Sequence, residues 1–353
     1  MLASEIGVAS ARLAKQYGGI VRYLGLFNRP YLLISDPKIV QQVLINRSYE
    51  YPKHFLNITT LQDLVGIHSI LFAHGDSHKR QRKMMHPSFS FANIKEMFPT
   101  FVQAGHNLKD IWMKQIGNKK VERVSITAII PNITLDVIGI VGFNYEFNST
   151  KTTTKLAQAY QTLIMRNPSQ VYEIIEGFFP FIKKLPIPNF KRNNNAFKVI
   201  QNASAKLVDE KKHATVLGKD LLSLLVKAND NLPVDEQLTH NELLSQVMTL
   251  LLAGHETTST ALSWVLYFLA KNPEAQDLLR KEILDVLTDR DHMPKFEEIE
   301  HLKYLECVFK ETLRIVPPCM GTPMLISIYA IHHDPSIWGD DAEYFNPSRW
   351  LDP

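Results

Sequence analysis

Cysteine is nearly absent from this sequence: its 353 residues include only Cys307 and Cys319. So few cysteines form no disulfide framework, and their scarcity fits a reducing compartment. A nucleotide-binding glycine loop, a Gly-x-Ser-x-Gly elbow and a cysteine cluster are all missing, which argues against the enzyme classes that depend on them. Strong charge is missing too, since 39 basic and 36 acidic residues leave a net charge of +3. This balance argues against general nucleic-acid binding.

The composition and patterning indicate a globular, mainly helical protein. Hydrophobic residues make up 45% of the chain, enough for a full core, and the length suits one large domain or two ordinary ones. Segments 19–25 and 30–35 are typical of two strands of a small sheet, and Asp36-Pro37 predicts the start of a short helix. From Ala92 onward the pattern is helical. A link is expected at 178–190, and loops are expected at 193–195 and 227–233.

The longest apolar run, 246–270, contains a polar interruption at its centre, from Ala253 to Thr260. A capping box at Thr239–Glu242 predicts the start of this helix, and Asn272-Pro273 predicts its end. The apolar halves are too short for a membrane span. Buried carboxylates and hydroxyls cost free energy unless they are paired or used, so the interruption predicts a functional site.

The residue types of the interruption favour proton chemistry at a groove. Gly254 permits close approach to the helix backbone, and Thr257 and Thr258 can bond back to preceding carbonyls and loosen the helix. Glu256 beside Thr257 supplies an acid and a hydroxyl that can pass a proton or orient water. The alternative is a helix packed around a few internally bonded polar groups. A zinc-protease motif is excluded because position 259 is Ser259, not histidine.

The segment Ala253-Gly254-His255-Glu256-Thr257-Thr258 resembles the central-helix signature of the cytochromes P450. The resemblance implies that Ala253 and Gly254 border the oxygen pocket above a haem. It also implies that Glu256 and Thr257 are the catalytic acid and alcohol, which assist proton delivery during O–O cleavage.

A second match is Glu311-x-x-Arg314, which resembles the Glu-x-x-Arg motif of the family's proximal helix. The two residues are three apart and able to pair, although such a pair taken alone is most often a solvated salt bridge. In the family this pair is tied to a second arginine downstream, and the candidate is Arg349. The resemblance therefore implies a structural triad of Glu311, Arg314 and Arg349. Ser348 stands where the family often has Glu.

A third match, residues 75–83, resembles the basic helix that contacts the haem propionates. His78 and Arg82 are four residues apart and so project from one helix face, which makes them candidate cofactor-binding residues. His78 replaces a tryptophan found in many members. Taken alone, this block would more often be a basic solvated face. Its other cations, Lys79, Arg80 and Lys83, are candidates for contacting an acidic redox partner.

Weaker matches occur in the expected order. Residues 134–139 resemble a family helix that packs against the central one, and residues 329–339 resemble the segment before the arginine motif. The adjacent His332 and His333 are not interpreted as metal ligands.

Together these matches predict a mainly α fold with a small β-sheet: one cytochrome P450 domain over 1–353, incomplete because the haem-cysteine loop and the helix after it are absent. The family's axial cysteine lies in a Phe-x-x-Gly-x-Arg-x-Cys loop, which does not occur in this sequence. Neither Cys307 nor Cys319 matches that position, so no metal ligand is predicted. The stretch after Pro318 is also shorter than in the family.

The resemblance implies a haem-thiolate monooxygenase that inserts one oxygen atom of O₂ into a small apolar substrate. Its cofactor would be haem b, and its redox partner would be NADPH-cytochrome P450 reductase. The protein would be a monomer and would bind no nucleic acid. Its location would be the cytosolic face of the endoplasmic reticulum membrane; since no anchor run is found, the cytoplasm is the alternative. The missing loop indicates a truncated form of such an enzyme, and the alternative is a non-catalytic P450-like fragment or pseudo-enzyme without stable haem.

Overall fold

The computed structural model describes residues 7–24, 28, 30–51, 59–152, 154–164, 187–287, 289, 291–317 and 326–351. Its helices are α1 (Val8–Tyr17), α2 (Pro37–Gln41), α3 (Thr59–Val65), α4 (Gly75–Met85), α5 (Phe91–Ile116), α6 (Ile126–Phe143), α7 (Lys155–Ile164), α8 (Pro188–Lys212), α9 (Leu221–Asp230), α10 (His240–Lys271), α11 (Pro273–Val286), α12 (Phe296–Glu300), α13 (Lys303–Ile315), α14 (Ile328–His332) and α15 (Pro335–Trp338). A π-helical turn, Gln42–Asn46, and two 3₁₀ turns, His86–Phe89 and Pro347–Trp350, complete the helical elements. The prediction of a mainly α fold with a small sheet is confirmed.

The sheet consists of β1 (Ile20–Leu24) and β2 (Pro30–Ile34), which pair antiparallel with Ile20 opposite Ile34. Both strands and the helix after them were predicted from the sequence. Asp36 caps α2 because its carboxylate accepts the backbone N–H of Lys38 at 2.8 Å.

The described residues form two compact units, one from 53–259 and one from 1–52 with 260–353. In the first unit, α4, α6, α7, α8, α9 and the first part of α10 enclose an apolar core that includes Leu135, Ile200, Leu222 and Leu251. In the second, α10, α11 and α13 contribute a smaller core of Val265, Leu269, Leu279, Tyr304 and Val308.

The structure corrects three loop predictions in the middle of the chain. Residues 193–195 lie inside α8, and residues 227–230 form the end of α9. The predicted link 178–190 also ends inside α8, which begins at Pro188; residues 178–186 lie outside the described part of the chain. The buried positions of α8 recur every three or four residues, at Phe190, Asn193, Ala196, Ile200, Ser204 and Leu207. Packing of this face therefore outweighs the weak helix propensity of asparagine.

Among the described helices, α6 has the length and apolar composition of a membrane span. Half of its residues are buried within the first unit, among them Ile130, Leu135 and Phe143. A buried core helix meets the same criteria, so the sequence of α6 does not distinguish the two.

Candidate active site

The site is built on α10, whose ends match the sequence prediction. The Thr239 backbone N–H donates to Glu242 Oε2 at 2.8 Å, and the Glu242 N–H donates to Thr239 Oγ1 at 3.2 Å. This reciprocal capping box fixes the start of a 32-residue helix that ends at Lys271, before Asn272 and Pro273. The polar interruption from Ala253 to Thr260 lies within this helix.

Two sides of the interruption differ in exposure. His255 and Ser259 are buried, Ala253 and Thr258 are exposed, and Glu256 and Thr257 are half-buried. The Thr257 hydroxyl donates to the Ala253 carbonyl at 2.6 Å, the backward bond that the sequence predicted. Ala253, Glu256 and Thr257 therefore share an accessible side of the helix, where an acid and a hydroxyl lie next to each other.

Gly254 faces α6 in this structure. A Cβ atom at this position would lie 2.7 Å from Cδ1 of Ile138, closer than a real Cβ contact allows. Gly254 therefore permits close packing of α6 against α10, and this packing explains the need for glycine without any ligand. Its contact with a cofactor stays a prediction.

A hydrogen bond also joins α6 and α10. Thr134 Oγ1 donates to the backbone carbonyl of His255 at 3.0 Å, and both residues are buried. The packing of residues 134–139 against the central helix, which the sequence predicted, is present.

The environment of α10 shifts the protonation of two neighbouring groups. Burial raises the pKa of Glu256, which favours the protonated acid. Burial lowers the pKa of His255 to about 4, even though its Nδ1 lies 3.3 Å from the Leu251 carbonyl. His255 is therefore a neutral imidazole near pH 7, beside an acid that holds its proton more tightly than a free carboxyl.

The predicted propionate-binding pair lies on α4. His78 is half-buried and Arg82 is exposed, and their spacing places both on one face of the helix. No ion pair involving Arg82 is found among the described residues. Its guanidinium is open to an anionic ligand.

Arg80 does not belong to the solvated basic face predicted for this helix. Its guanidinium pairs with Glu242 and donates to the carbonyl of Gln237 at 2.7 Å. Lys79 and Lys83 remain exposed. The structure therefore uses Arg80 to tie α4 to the start of α10.

A buried polar network, which the sequence did not predict, lies beside Arg80. Gln81 donates to Glu242 Oε1 at 3.3 Å, and Gln246 donates to Gln81 Oε1 at 2.9 Å. Gln81 and Gln246 are almost fully buried. A glutamine at the start of the apolar run, one turn after the capping Glu242, was the signal available in the sequence.

In the second unit, the structure brings together Glu311, Arg314 and Arg349. Arg314 binds Glu311 in a bidentate pair, Nε to Oε2 at 2.9 Å and a terminal nitrogen to Oε1 at 2.8 Å. Arg349 Nε donates to Glu311 Oε1 at 3.0 Å. The Glu311 side chain is 0% exposed and that of Arg314 is 2% exposed, so the pair is not the solvated salt bridge considered as the alternative.

Additional donors complete the surroundings of Glu311. The Asn346 N–H and the Trp350 indole N–H reach its two oxygens at 2.9 and 3.0 Å. Burial by itself raises the pKa of Glu311, but the hydrogen bonds from Arg314 and Asn346 outweigh burial and hold this pKa below its usual value. The carboxylate is therefore ionised and fully satisfied. The contributions of Asn346 and Trp350 were not predicted, although both flank Arg349 in the sequence.

The described residues include one cysteine, Cys307, which is buried in α13. Burial raises the pKa of its thiol, so Cys307 is protonated and is not a thiolate donor. Cys319 lies outside the described residues. The haem contacts of His78 and Arg82 on α4 and of Glu256 and Thr257 on α10 stay predictions, and no described residue supplies the axial thiolate.

Comparison with known proteins shows what the chain is similar to. The family model for cytochrome P450 matches residues 3–353. Cytochrome P450 monooxygenase 128 of Postia placenta is 31% identical over 95% of this chain and 71% of its own length. Cytochrome P450 monooxygenase 205 of the same fungus is 30% identical over 99% of this chain and 73% of its own. These alignments span 392 and 404 residues, so each relative carries residues within the matched region that have no counterpart here.

Proposed function

This chain belongs to the cytochrome P450 family, whose members are haem-thiolate monooxygenases, and we propose that it serves haem-dependent oxygenation of a small apolar substrate. The observation that supports this most strongly is the acid and alcohol on the accessible side of α10. Glu256 and Thr257 are adjacent, and the Thr257 hydroxyl is already turned along the helix toward the Ala253 carbonyl.

The cofactor in this proposal is haem b. His78 and Arg82 would hold its propionates, because a half-buried imidazole and an exposed guanidinium on one face match two carboxylates. Ala253 and Thr257 would border it on the accessible side of α10, while Gly254 packs against Ile138 of α6. When bound, the haem supplies the activation of O₂, and a thiolate ligand promotes cleavage of the O–O bond.

The residues of the chain itself would control protons. Glu256, whose pKa is raised by burial, holds a proton on its carboxyl near neutral pH more readily than an exposed glutamate does. Thr257 Oγ1 can both donate and accept, so it can receive a proton from solvent or Glu256 and present one at the groove. The small side chain of Ala253, one turn before Thr257, leaves the space beside the Thr257 hydroxyl open.

Electrons would come from NADPH-cytochrome P450 reductase at the cytosolic face of the endoplasmic reticulum. The exposed cations Lys79 and Lys83 on α4 support contact with an acidic partner surface, since opposite charge speeds diffusional encounter. Arg80 takes no part in this surface because it forms a part-buried pair with Glu242, whereas Lys79 pairs with the exposed Asp76.

One observation favours a second candidate, a non-catalytic P450-like protein without stable haem. The cysteine of the described residues, Cys307, is a buried thiol in α13. Without a thiolate from elsewhere, the haem would lack the ligand that promotes O–O cleavage.

Spectroscopy of two polypeptides tests the proposal. We expect the 353-residue chain to give no red-shifted, thiolate-type Soret band in its ferrous carbonyl complex. A longer chain, in which a Phe-x-x-Gly-x-Arg-x-Cys loop follows Pro353, should give this band and, with reductase, NADPH and ¹⁸O₂, should place ¹⁸O in an apolar substrate. Haem that stays unbound in the longer chain would support the non-catalytic candidate instead.

A further inference from the structure

A buried histidine beside the proposed acid is not used by the function described above. His255 precedes Glu256 in α10, and its side chain is 3% exposed. Its Nε2 lies 3.9 Å from Glu256 Oε2, slightly beyond hydrogen-bond distance and within reach of a small rotation of the glutamate side chain.

The hydrogen bonds of the imidazole determine which nitrogen carries the proton. Nδ1 lies 3.3 Å from the Leu251 carbonyl, and a carbonyl only accepts, so Nδ1 is the nitrogen that bears hydrogen. In a neutral ring Nε2 is then an acceptor. Nε2, the atom that faces Glu256, can therefore accept a hydrogen bond from a protonated carboxyl, whereas its lone pair repels an ionised carboxylate.

The groups packed around the ring keep it neutral. From α7, Tyr160 lies against it with ring centroids 4.9 Å apart. Burial raises the pKa of Tyr160, so its phenol stays protonated and supplies no negative charge to stabilise an imidazolium. From α6, the Thr134 hydroxyl donates to the backbone carbonyl of His255 and not to the ring.

We propose that His255 is a positioning residue, whose Nε2 accepts a hydrogen bond from the protonated carboxyl of Glu256. This bond would hold the half-buried acid in its protonated form, turned toward His255, and a side-chain rotation would bring it to Thr257. No covalent bond changes and the proton stays on Glu256 Oε2. The inference rests on the proposed role of Glu256, but its geometry depends on protein atoms alone.

Removal of the acceptor should lower the pKa of Glu256, because a hydrogen bond to the neutral form of an acid raises its pKa. In the 353-residue chain, we expect His255→Leu to lower the pKa of Glu256 by about one pH unit, a typical size for the loss of one such interaction. His255→Gln should restore most of the difference, since a glutamine oxygen can accept the same bond. The exposed His240→Gln on the same helix should change nothing.

The measurement is NMR of ¹³Cδ-labelled glutamate, with Glu256 assigned by its loss in Glu256→Gln. Histidine ¹⁵N chemical shifts of the wild-type chain report which ring nitrogen of His255 is protonated. This second measurement does not depend on whether His255→Leu folds. Nδ1 of His255 should be protonated and Nε2 bare at pH 7. An imidazolium at pH 7, or a Glu256 pKa that is equal in the folded His255→Leu and wild-type chains, would overturn the inference. Neither measurement requires haem, so loss of the proposed oxygenase function would leave these results interpretable.

Discussion

At the scale of single residues, two adjacent side chains on α10 have different surroundings and therefore different capacities. Thr257 is half-buried, with its hydroxyl on the Ala253 carbonyl, whereas Thr258 is exposed. Two consecutive threonines thus become one candidate catalytic group and one solvent-facing neighbour. The helical rotation of about 100° per residue produces this difference.

Thr257→Ala should uncouple electron use from product formation in a haem-loaded, full-length form of the protein. The substitution removes the hydroxyl that would present a proton at the groove, together with the γ-methyl group. The ratio of product formed to NADPH consumed measures this effect, and we expect this ratio to fall at least severalfold. The matched control is Thr258→Ala. Equal coupling in Thr257→Ala and wild type would remove Thr257 from the mechanism.

At the scale of elements, α4 and α10 are joined through Glu242. This one carboxylate caps α10 and binds Arg80 and Gln81 of α4. Burial acts to raise the pKa of Glu242, but the Thr239 N–H and Arg80 outweigh burial, so the pKa lies below its usual value. The position of the α4 face that carries His78 and Arg82 therefore depends on Glu242, a residue at the start of α10.

Glu242→Ala should destabilise the fold by about 3 kcal/mol, because it removes a helix cap and leaves Arg80 without its partner. Denaturant unfolding at pH 7 measures this loss. Since the folded-state pKa of Glu242 is depressed, its contribution is present above the pKa of an unfolded glutamate and declines as pH falls through the folded value. The difference between variant and wild type should thus shrink at acidic pH.

A suitable control is Lys79→Ala, which alters an exposed cation of the same helix and should change stability by less than about 0.5 kcal/mol. A Glu242→Ala protein that unfolds at the wild-type denaturant concentration would show that α4 is held by apolar packing alone.

At the scale of the whole molecule, residues from distant parts of the sequence meet at one buried carboxylate. Glu311 lies on α13, while Asn346, Arg349 and Trp350 lie 35 to 39 positions later. Arg314 also donates to the carbonyls of His332 and Ala342, both at 2.6 Å. These hydrogen bonds therefore join α13 to described residues between His332 and Trp350.

Glu311→Ala should largely prevent folding, since it leaves two arginines without their buried partner. The expected loss of ~3–5 kcal/mol is a large part of the ~5–15 kcal/mol that stabilises a typical domain. Soluble yield and thermal unfolding measure it, and the control is Lys310→Ala, a substitution of the exposed preceding residue. A Glu311→Ala protein that stays soluble and melts within a few degrees of wild type would contradict this interpretation.

Sequence patterns by themselves determined much of this protein. The capping box at Thr239, the proline after α10, the strands before Asp36 and the backward bond of Thr257 were all predicted, because each depends on residues within about four positions of one another. The order of the motifs also indicated the family. Local hydrogen-bond chemistry is visible in a sequence because its partners are neighbours in the chain.

Only the tertiary structure decided the remaining features. The asparagines at 193–195 are helical because a buried face of α8 outweighs their weak propensity. Gly254 meets Ile138, Arg80 meets Glu242, and His255 is enclosed against Tyr160. Each of these contacts joins residues tens to more than a hundred positions apart. Their burial and protonation follow from packing between helices, which local sequence spacing does not specify.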